Sequence, residues 1–305
     1  PDALGRVKRI DDAQARYVEI AKASFPKGLS LQGLRIAVDC ANGAGYKVAP
    51  TTLYELGAEV CAVGVEPNGL NINADCGSTH PETLAEAVKR YRADIGIALD
   101  GDADRALAVD ATGRLIDGDQ IIAITAVDRR ARGALAADTV VVTVMTNLGF
   151  RLGMAHHDIE VLEVPVGDRY VLEALQDGGF TLGGEQSGHV IFADRATTGD
   201  GLLTAVQLLD VVARTGRPLA ALADDAMTRL PQVLRNVRVE RGAGDVSAAI
   251  ADRVAEVEAE LGDHGRVLIR ASGTEPLVRV MVEAPTAEQA EQAAERLATA
   301  VADLA

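Results

Sequence analysis

The stretch "IGIALDGDADRALAVDATGR", which runs from Ile95 to Arg114, places an acidic loop between two apolar segments. Ile95–Leu99 and Ala106–Val109 are apolar enough to be buried strands. The loop between them holds three aspartates within five residues: Asp100, Asp102 and Asp104. Two carboxylates about 4 Å apart repel each other by roughly 4 kcal/mol at an effective dielectric near 20. The pattern therefore requires something that offsets the repulsion, and a bound cation is the first candidate.

Strand and helix patterns alternate on both sides of that stretch. Leu34–Cys40 has the pattern of a buried strand, and Pro81 stands where a later helix would begin. Such alternation with short connections is typical of an α/β domain with a largely parallel sheet. It repeats in the next part of the chain, into which the hairpin-type turn at Thr112 and Gly113 is expected to lead, and which is expected to end with a helix over Gly199–Arg214. From Pro231 the alternation gives way to a smaller α+β pattern, whose last helix has a capping box, Thr286 with Gln289, and an apolar stripe. Because 305 residues exceed what one core usually holds, we expect two related three-layer α/β domains with mixed sheets followed by a smaller α+β C-terminal domain, at residues 1–113, 114–230 and 231–305.

Composition narrows the class of protein. The chain is 48% hydrophobic, and its formal net charge is −15 with 30 Lys and Arg. So acidic a chain is not expected to bind nucleic acid or an anionic membrane, whereas a small anionic substrate fits because local arginines can outweigh the overall field. No apolar run reaches about 18 residues, and we expect neither a membrane-spanning helix nor a signal peptide. The three cysteines lack CxxC spacing and are expected to be free thiols of a cytoplasmic protein: Cys40, Cys61 and Cys76.

The three aspartates can hold a hard cation. In an extended chain, residues i, i+2 and i+4 point to one side, so the three carboxylates can converge. An EF-hand calcium loop is excluded because its positions six and twelve, counted from Asp100, are Arg105 and Ala111. A solvated turn is the alternative, and the buried strands on both sides make it costly. We predict a divalent cation, with Mg²⁺ favoured, and Arg105 as a fixed positive charge beside it.

A second loop lies in "LGGEQSGHVIF", Leu182 to Phe192. Its glycines allow a tight turn that presents Glu185, Ser187 and His189 at alternate positions. A carboxylate and a hydroxyl placed in this way can accept and donate hydrogen bonds to vicinal sugar hydroxyls. A glycine-rich hairpin with incidental polar residues explains the pattern equally well.

A third loop lies in "RASGTEPLVR", Arg270 to Arg279. Two arginines flank a turn that supplies hydroxyls and closely approaching backbone, which together suit a phosphate group. A Walker A loop is excluded because the Gly-Lys-Ser/Thr ending is absent. In "VGDRY", Asp168 and Arg169 stand at a predicted helix start, as a cap or as a substrate contact.

Together, "DGDADR", "GEQSGH" and "RASGTEP", in this order and in successive domains, resemble the signature loops of the α-D-phosphohexomutase family. The resemblance implies four domains around a cleft, the first of which carries a phosphoserine in a Ser-His-Asn-Pro-type loop. The chain has no Ser-His-Asn-Pro, and its "STHP" at Ser78–Pro81 precedes the metal loop within the same domain. We therefore expect domains two to four, with the N-terminal catalytic-serine domain missing. "NINADCGSTHPE" and "VPVGDRYV" further resemble the branch that acts on glucosamine phosphates.

The resemblance also implies the roles of the residues around the metal. The Mg²⁺ ligands would be Asp100, Asp102 and Asp104. In the intact enzyme this ion also contacts the phosphoserine and makes its phosphorus more electrophilic. His189, for proton transfer or phosphate contact, and Arg105 are the candidate catalytic residues.

The resemblance also implies which residues bind the sugar hydroxyls and the phosphate that is not transferred. Glu185 and Ser187 would bind the sugar hydroxyls. Independently of the resemblance, Asp168 and Arg169 are candidate substrate contacts from their place at the predicted helix start. The phosphate that is not transferred would be held by five residues: Arg270, Ser272, Gly273, Thr274 and Arg279.

The implied activity is the interconversion of glucosamine 6-phosphate and glucosamine 1-phosphate, for cell-wall precursor synthesis. The phosphoserine donates its phosphate, and the resulting 1,6-bisphosphate turns around and returns the other one. Glucosamine or glucose 1,6-bisphosphate would act as activator. Two alternatives stay open: a phosphomannomutase/phosphoglucomutase, and a catalytically inert sugar-phosphate-binding fragment. The sequence also leaves the oligomeric state open, a homodimer included.

Overall fold

The computed structural model describes residues 10–239, 249–271 and 276–304. The described residues form two compact units. The first unit comprises the chain up to Thr146 together with Gly153–Met227, and the second comprises Asn147–Leu152 together with the chain from Thr228 onward. The predicted boundaries at 113/114 and 230/231 stay predictions.

The first unit contains a five-stranded sheet with the order β2-β1-β3-β4-β5. Its strands are β1 (Arg35–Asp39), β2 (Glu59–Val63), β3 (Ile95–Leu99), β4 (Ala106–Asp110) and β5 (Leu115–Ile116). The first three strands are parallel and the last two pair antiparallel. The accompanying helices are α1 (Ala13–Ala23), α2 (Val48–Glu55) and α3 (Pro81–Tyr91). Strands β3 and β4 are buried along their whole length, as their continuous apolar sequence predicts.

A second sheet in this unit has the order β7-β6-β8-β9. Its strands are β6 (Thr139–Thr143), β7 (Glu160–Val164), β8 (Leu182–Gly184) and β9 (Val190–Phe192). The helices of this part of the chain are α4 (Gly118–Ala131), α5 (Leu148–His156), α6 (Asp168–Gly178), α7 (Gly201–Thr215) and α8 (Leu219–Ala226). In both sheets the first strand pairs in parallel with the second and third, and the fourth pairs antiparallel with the third. The prediction of two related α/β domains is confirmed.

The second unit is built on a three-stranded antiparallel sheet with the order β10-β12-β11. Its elements are β10 (Gln232–Arg238), α9 (Ala251–Leu261), β11 (Arg266–Ala271), β12 (Leu277–Glu283) and α10 (Ala287–Ala302). The last helix begins as its capping box predicts, because the Thr286 hydroxyl accepts a hydrogen bond from the Gln289 amide at 3.2 Å. Its apolar stripe is buried: Ala290, Ala293, Ala294, Leu297 and Val301. The smaller α+β C-terminal domain is confirmed.

Two local features differ from the sequence expectation. The turn at Thr112 and Gly113 joins β4 to β5 within the first sheet, whereas it was expected to lead into the next domain. Helix α7, expected from Gly199, begins at Gly201 because the Asp200 carboxylate caps it by accepting a hydrogen bond from the Leu203 amide at 2.9 Å.

In the described part of the chain, no helix combines the length and the apolar character needed to cross a membrane.

Candidate functional site

The aspartate loop connects β3 to β4, and it brings its three carboxylates together. One oxygen from each of Asp100, Asp102 and Asp104 lies within 4.8 Å of the others. The premise of an extended chain is wrong, because the loop is a turn in which Ala103 has a φ of 63° and its amide donates to the Asp100 carbonyl. The grouping of the side chains is nevertheless the one expected.

The electrostatics of this loop suit a cation. Burial first, and then the neighbouring carboxylates, raise the pKa of Asp100 to about 6. The Oδ1 atom of Asp104 is buried and has no hydrogen-bond partner among the described residues. A buried acceptor without a partner costs about 1–3 kcal/mol, so a bound cation would relieve both the repulsion and this cost. The three oxygen donors match the hard-ligand preference of Mg²⁺, and the residues therefore fit the expected ion.

Arg105 supplies positive charge from the same loop. Its backbone amide donates to Asp100 Oδ1 at 3.1 Å, and its Nε lies 3.8 Å from Asp100 Oδ2 and 3.7 Å from Asp104 Oδ1. These Nε separations exceed hydrogen-bond length, and the side chain is partly exposed. The guanidinium is therefore an ion-pair partner of the carboxylates that remains accessible from solvent.

The loop that was predicted to contact a sugar, Glu185–His189, connects β8 to β9 and is called the sugar loop below. The Glu185 carboxylate is half-buried and accepts a hydrogen bond from the Gly167 amide at 3.1 Å, while Ser187 is exposed. That bond brings the start of α6, with Asp168 and Arg169, next to the loop. Asp168 is exposed, and the Arg169 side chain is directed along the helix to Glu173 at 2.7 Å.

The sugar loop and the aspartate loop are joined through their backbones. The Ala106 amide, at the start of β4, donates to the Gly188 carbonyl at 3.0 Å. The Gly118 amide, at the start of α4, donates to the Gln186 carbonyl at 3.1 Å. Two loops separated by about eighty residues in sequence therefore form one site within the first unit.

His189 links the same two loops through its side chain. The ring is buried, with Nδ1 3.1 Å from Asp104 Oδ2, and its Nε2 accepts a hydrogen bond from the Gly199 amide at 3.2 Å. Both ring nitrogens thus have protein partners. A direct contact between His189 and a substrate phosphate would require one of these bonds to break.

Two parts of this site were missed by the sequence reading. Tyr17 of α1 donates from its hydroxyl to Asp200 Oδ1 at 2.7 Å, and burial followed by the Asp200 charge raises the Tyr17 pKa well above its usual value. Both residues line a pocket of about 410 Å³ that also includes Asp102 and Asp104. The sequence signal was the Gly-Asp-Gly at 199–201, in which a capping aspartate precedes a helix between two glycines.

The predicted anion site lies in the second unit. Arg270 of β11 and Arg279 of β12 are directly opposite each other in the sheet, and both are exposed. Like charges opposite each other destabilise a sheet, so a bound anion would be stabilising here. The Asn236 side chain, exposed on β10, stands opposite Arg279 on its other side. The predicted contacts Ser272, Gly273 and Thr274 lie outside the described residues.

Comparison with known families gives three consecutive matches. The phosphoglucomutase/phosphomannomutase alpha/beta/alpha domain II matches residues 15–113, and alpha/beta/alpha domain III matches residues 117–230. The phosphoglucomutase/phosphomannomutase C-terminal domain matches residues 234–300.

The chain is similar in sequence to bacterial proteins named phosphoglucosamine mutase. The chain is 55% identical over 305 residues to a phosphoglucosamine mutase of Phenylobacterium zucineum, covering 100% of this chain and 68% of that protein. It is 57% identical over 301 residues to a phosphoglucosamine mutase of Saccharopolyspora erythraea, covering 98% of this chain and 67% of that protein. The chain thus spans about two thirds of the length of these relatives.

Solved structures share the fold. An N-acetylphosphoglucosamine mutase of Aspergillus fumigatus, in complex with GlcNAc-6P and magnesium, superposes with a TM-score of 0.77 at 23% identity, over 98% of this chain and 67% of that one. A phosphoglucomutase/phosphomannomutase family protein of Burkholderia thailandensis gives a TM-score of 0.77 at 23% identity, over 97% of this chain and 65% of that one. At this identity the likeness shows the fold alone.

Proposed function

This chain belongs to the phosphoglucomutase/phosphomannomutase family, and we propose on that basis that it carries the metal, sugar and distal-phosphate sites of a phosphoglucosamine mutase. The observation that carries the proposal is the joining of the aspartate loop to the sugar loop in one unit, through the Ala106–Gly188 and Asp104–His189 hydrogen bonds. Relatives above 50% identity that are named phosphoglucosamine mutases support the choice of substrate.

The aspartate loop is proposed to hold Mg²⁺ through Asp100, Asp102 and Asp104. Such an ion neutralises phosphate charge and makes the phosphorus more electrophilic. Arg105, whose guanidinium is partly exposed beside these carboxylates, is proposed to contact the phosphate from the side of the loop.

The sugar loop is proposed to orient the substrate. Glu185 accepts hydrogen bonds from sugar hydroxyls with its remaining carboxylate oxygen, since Oε1 is held by the Gly167 amide. Ser187 is exposed and free to rotate its hydroxyl toward the sugar. Asp168 and Arg169 are proposed as further substrate contacts, with Arg169 having to leave Glu173 to make one.

The exposed pair Arg270 and Arg279 is proposed to bind the phosphate that is not transferred, with Ser272, Gly273 and Thr274 as additional contacts. A phosphate accepts two parallel hydrogen bonds from one guanidinium, so two adjacent arginines hold it in a defined orientation. Either phosphate of the 1,6-bisphosphate can occupy this site. The phosphate at the other end of the sugar, on O1 or on O6, then faces the phosphoserine.

The proposed reaction converts glucosamine 6-phosphate into glucosamine 1-phosphate. A phosphoserine transfers its phosphate to O1, giving the 1,6-bisphosphate, and recovers the other phosphate from O6. No serine among the 305 residues stands in a Ser-His-Asn-Pro loop. We propose that this serine belongs to a first domain preceding these residues in the intact enzyme, and that glucosamine or glucose 1,6-bisphosphate maintains its phosphorylation.

Turnover assays test the reaction. The 305-residue chain with glucosamine 6-phosphate, Mg²⁺ and glucose 1,6-bisphosphate is expected to show no turnover above background. The enzyme extended by its first domain is expected to prefer glucosamine phosphates over mannose and glucose phosphates. Preference for mannose or glucose phosphate would favour the phosphomannomutase/phosphoglucomutase alternative. Robust turnover by residues 1–305 alone would contradict the proposal and direct attention to Ser78 and His80.

Binding tests the sites without turnover. Arg279→Ala is expected to weaken glucosamine 6-phosphate binding to the chain by about 1.5–3 kcal/mol, measured by calorimetry, because a charge-assisted hydrogen bond is lost. Arg253→Ala is the matched control, since Arg253 is an exposed arginine of the same unit that pairs with Glu256 on its own helix. Equal affinity in both variants would contradict the anion site.

A further inference from the structure

We propose that Asp168 selects glucosamine phosphates over glucose phosphates by binding the ammonium group at C2 of the sugar. This inference rests on the proposed function and names the substrate group that Asp168 contacts. Glucosamine differs from glucose only at C2, where an amine replaces a hydroxyl. An amine of this kind is largely protonated below about pH 7.7, where α-amino groups titrate. A residue that selects glucosamine therefore has to supply negative charge beside the sugar hydroxyls.

The backbone places Asp168 beside the residue that is proposed to bind those hydroxyls. The Gly167 amide donates a hydrogen bond to Glu185 Oε1 at 3.1 Å, and Asp168 is the next residue of the chain. Gly167 has a φ of 133°, which residues with a Cβ rarely adopt, so this junction depends on glycine. The C2 ammonium and the C3 hydroxyl of glucosamine also stand on neighbouring atoms. Neighbouring carboxylates can thus bind neighbouring groups of one sugar.

Each of the two carboxylates is held through one oxygen and leaves the other oxygen for a ligand. Glu185 Oε1 accepts from the Gly167 amide, and Asp168 Oδ1 accepts from the Arg169 amide at 2.7 Å. Within the described residues, Glu185 Oε2 and Asp168 Oδ2 have no hydrogen-bond partner. Because the amides restrict the rotation of both side chains, less conformational entropy is lost when a ligand binds them.

The neighbouring arginine leaves this negative charge available. Arg169 Nε donates to Glu173 Oε1 at 2.7 Å, one turn further along α6. The guanidinium is therefore paired on the helix, whereas Asp168 is exposed and accessible to a ligand. Glucose and mannose phosphates carry no positive charge that would match such a carboxylate at C2.

The exposure of Asp168 sets the size of the effect. A hydrogen bond between an ammonium and a carboxylate is about twice as strong as one between neutral groups. Solvent screens an exposed pair, so the gain lies at the lower end of the range for charged hydrogen bonds. We expect a preference for glucosamine of about tenfold in affinity.

Calorimetric titration of the 305-residue chain with glucosamine 6-phosphate and with glucose 6-phosphate tests the assignment. The two ligands share the phosphate and differ at C2 alone. Asp168→Asn is expected to weaken glucosamine 6-phosphate binding about tenfold and to leave glucose 6-phosphate binding nearly unchanged. Asp177→Asn is the matched control, because it removes an exposed aspartate at the other end of α6. This control is expected to keep the parent's preference.

The pH dependence separates recognition of charge from a structural role of Asp168. The amine is protonated near pH 6 and mostly neutral near pH 9.5, since α-amino groups titrate at about 7.7–8.0. In the parent chain the preference for glucosamine 6-phosphate is expected at about pH 6 and is expected to disappear at about pH 9.5. Glucose 6-phosphate, titrated at both pH values, reports changes in the protein itself.

The outcomes distinguish this inference from the proposed function. A preference that survives in Asp168→Asn, or that is equal at the two pH values in the parent chain, would overturn the inference and leave the proposed function intact. The pH comparison needs no substituted chain, so it stands even where Asp168→Asn fails to fold. Failure of both sugar phosphates to bind the parent chain would contradict the proposed sugar and phosphate sites together with the inference.

Discussion

Two acidic turns follow one another on the first sheet, and they have opposite chemistry. The loop from Asp100 to Arg105 leads from β3 to β4, and the turn from Asp110 to Arg114 leads from β4 to β5. Each begins with a buried aspartate and ends with an arginine. The first loop holds two further aspartates, Asp102 and Asp104, whereas the second turn holds none besides Asp110.

The carboxylate of Asp110 has a complete set of partners. Oδ1 accepts from the Thr112 amide at 2.8 Å, the Thr112 hydroxyl at 2.6 Å and the Arg114 amide at 3.1 Å, and Oδ2 accepts from Arg114 Nε at 3.0 Å. Burial alone would raise the Asp110 pKa, but these hydrogen bonds outweigh it and hold the pKa below its usual value. This aspartate is structural.

The carboxylates of the first loop have each other as neighbours instead. Burial and the adjacent charges raise the Asp100 pKa to about 6, and Asp104 Oδ1 lacks a hydrogen-bond partner within the described residues. Burial alone therefore does not identify a functional acid, because both Asp100 and Asp110 are buried. The distinguishing feature of the first loop is a carboxylate oxygen without a hydrogen-bond partner among the described residues, which a bound cation can supply with an interaction.

The largest expected difference between the two turns is in metal binding. Asp104→Asn removes a proposed ligand and is expected to lower Mn²⁺ affinity by at least about tenfold, no less than the loss of a ligand's hydrogen-bond partner would. Asp110→Asn is the matched control and is expected to leave Mn²⁺ affinity unchanged. Calorimetric titration of both variants with Mn²⁺ checks this prediction. An equal loss of Mn²⁺ affinity in both would show that the two turns do not differ in metal binding.

The next effect is on stability and concerns the structural aspartate. Asp110→Asn is expected to lower the free energy of unfolding at pH 7 by about 1.5–3 kcal/mol, because the charge-assisted bond to Arg114 is lost. Since the folded pKa is depressed, this stabilisation is present above the unfolded pKa of about 3.9 and is lost as pH falls through the folded value. Urea unfolding between pH 7 and pH 3 should show parent and variant converging; a constant gap would contradict the linkage.

A smaller effect is expected from one hydroxyl of the same turn. Thr112→Val keeps the side-chain shape but removes the 2.6 Å bond to Asp110 Oδ1. The free energy of unfolding is expected to fall by about 0.5–1.5 kcal/mol, the usual net value of one hydrogen bond. Urea unfolding at pH 7 measures it, and no change would indicate that the amide bonds alone satisfy Asp110.

The smallest effect is expected at Asp100 in the metal-free chain. Its folded pKa is raised, so the stability it contributes is present below about pH 3.9 and is lost as pH rises through about 6. Asp100→Asn removes this dependence and is expected to raise stability at pH 8 by a fraction of a kcal/mol, after allowance for solvent screening. Unfolding curves in the presence of a chelator test this. Destabilisation of Asp100→Asn at pH 8 would contradict this prediction and would show that the Asp100 carboxylate, like that of Asp110, stabilises the fold.

The sequence predicted those parts of the molecule that depend on local pattern. The buried strands β3 and β4 follow from continuous apolar runs, and helix α10 follows from its capping box and apolar stripe. The grouping of the three aspartates was predicted from their spacing, although a turn at Ala103 rather than an extended chain produces it.

The remainder depends on contacts between distant residues. Tyr17 meets Asp200 across 183 positions, and His189 meets Asp104 across 85 positions. No local periodicity encodes such pairs, because they arise only when elements that are distant in sequence pack together in the first unit. The occupancy of the Asp110 oxygens was equally hidden, since it depends on which way the turn residues point.

An anomalous difference map from crystals of the chain grown with Mn²⁺ tests directly whether the three carboxylates bind a metal ion. We expect a peak between β3 and β4 at coordination distance from one oxygen each of Asp100, Asp102 and Asp104, with Asp104 contributing Oδ1, and no peak at Asp110. A map without density among the three carboxylates at millimolar Mn²⁺, or with the ion at Asp110, would contradict it.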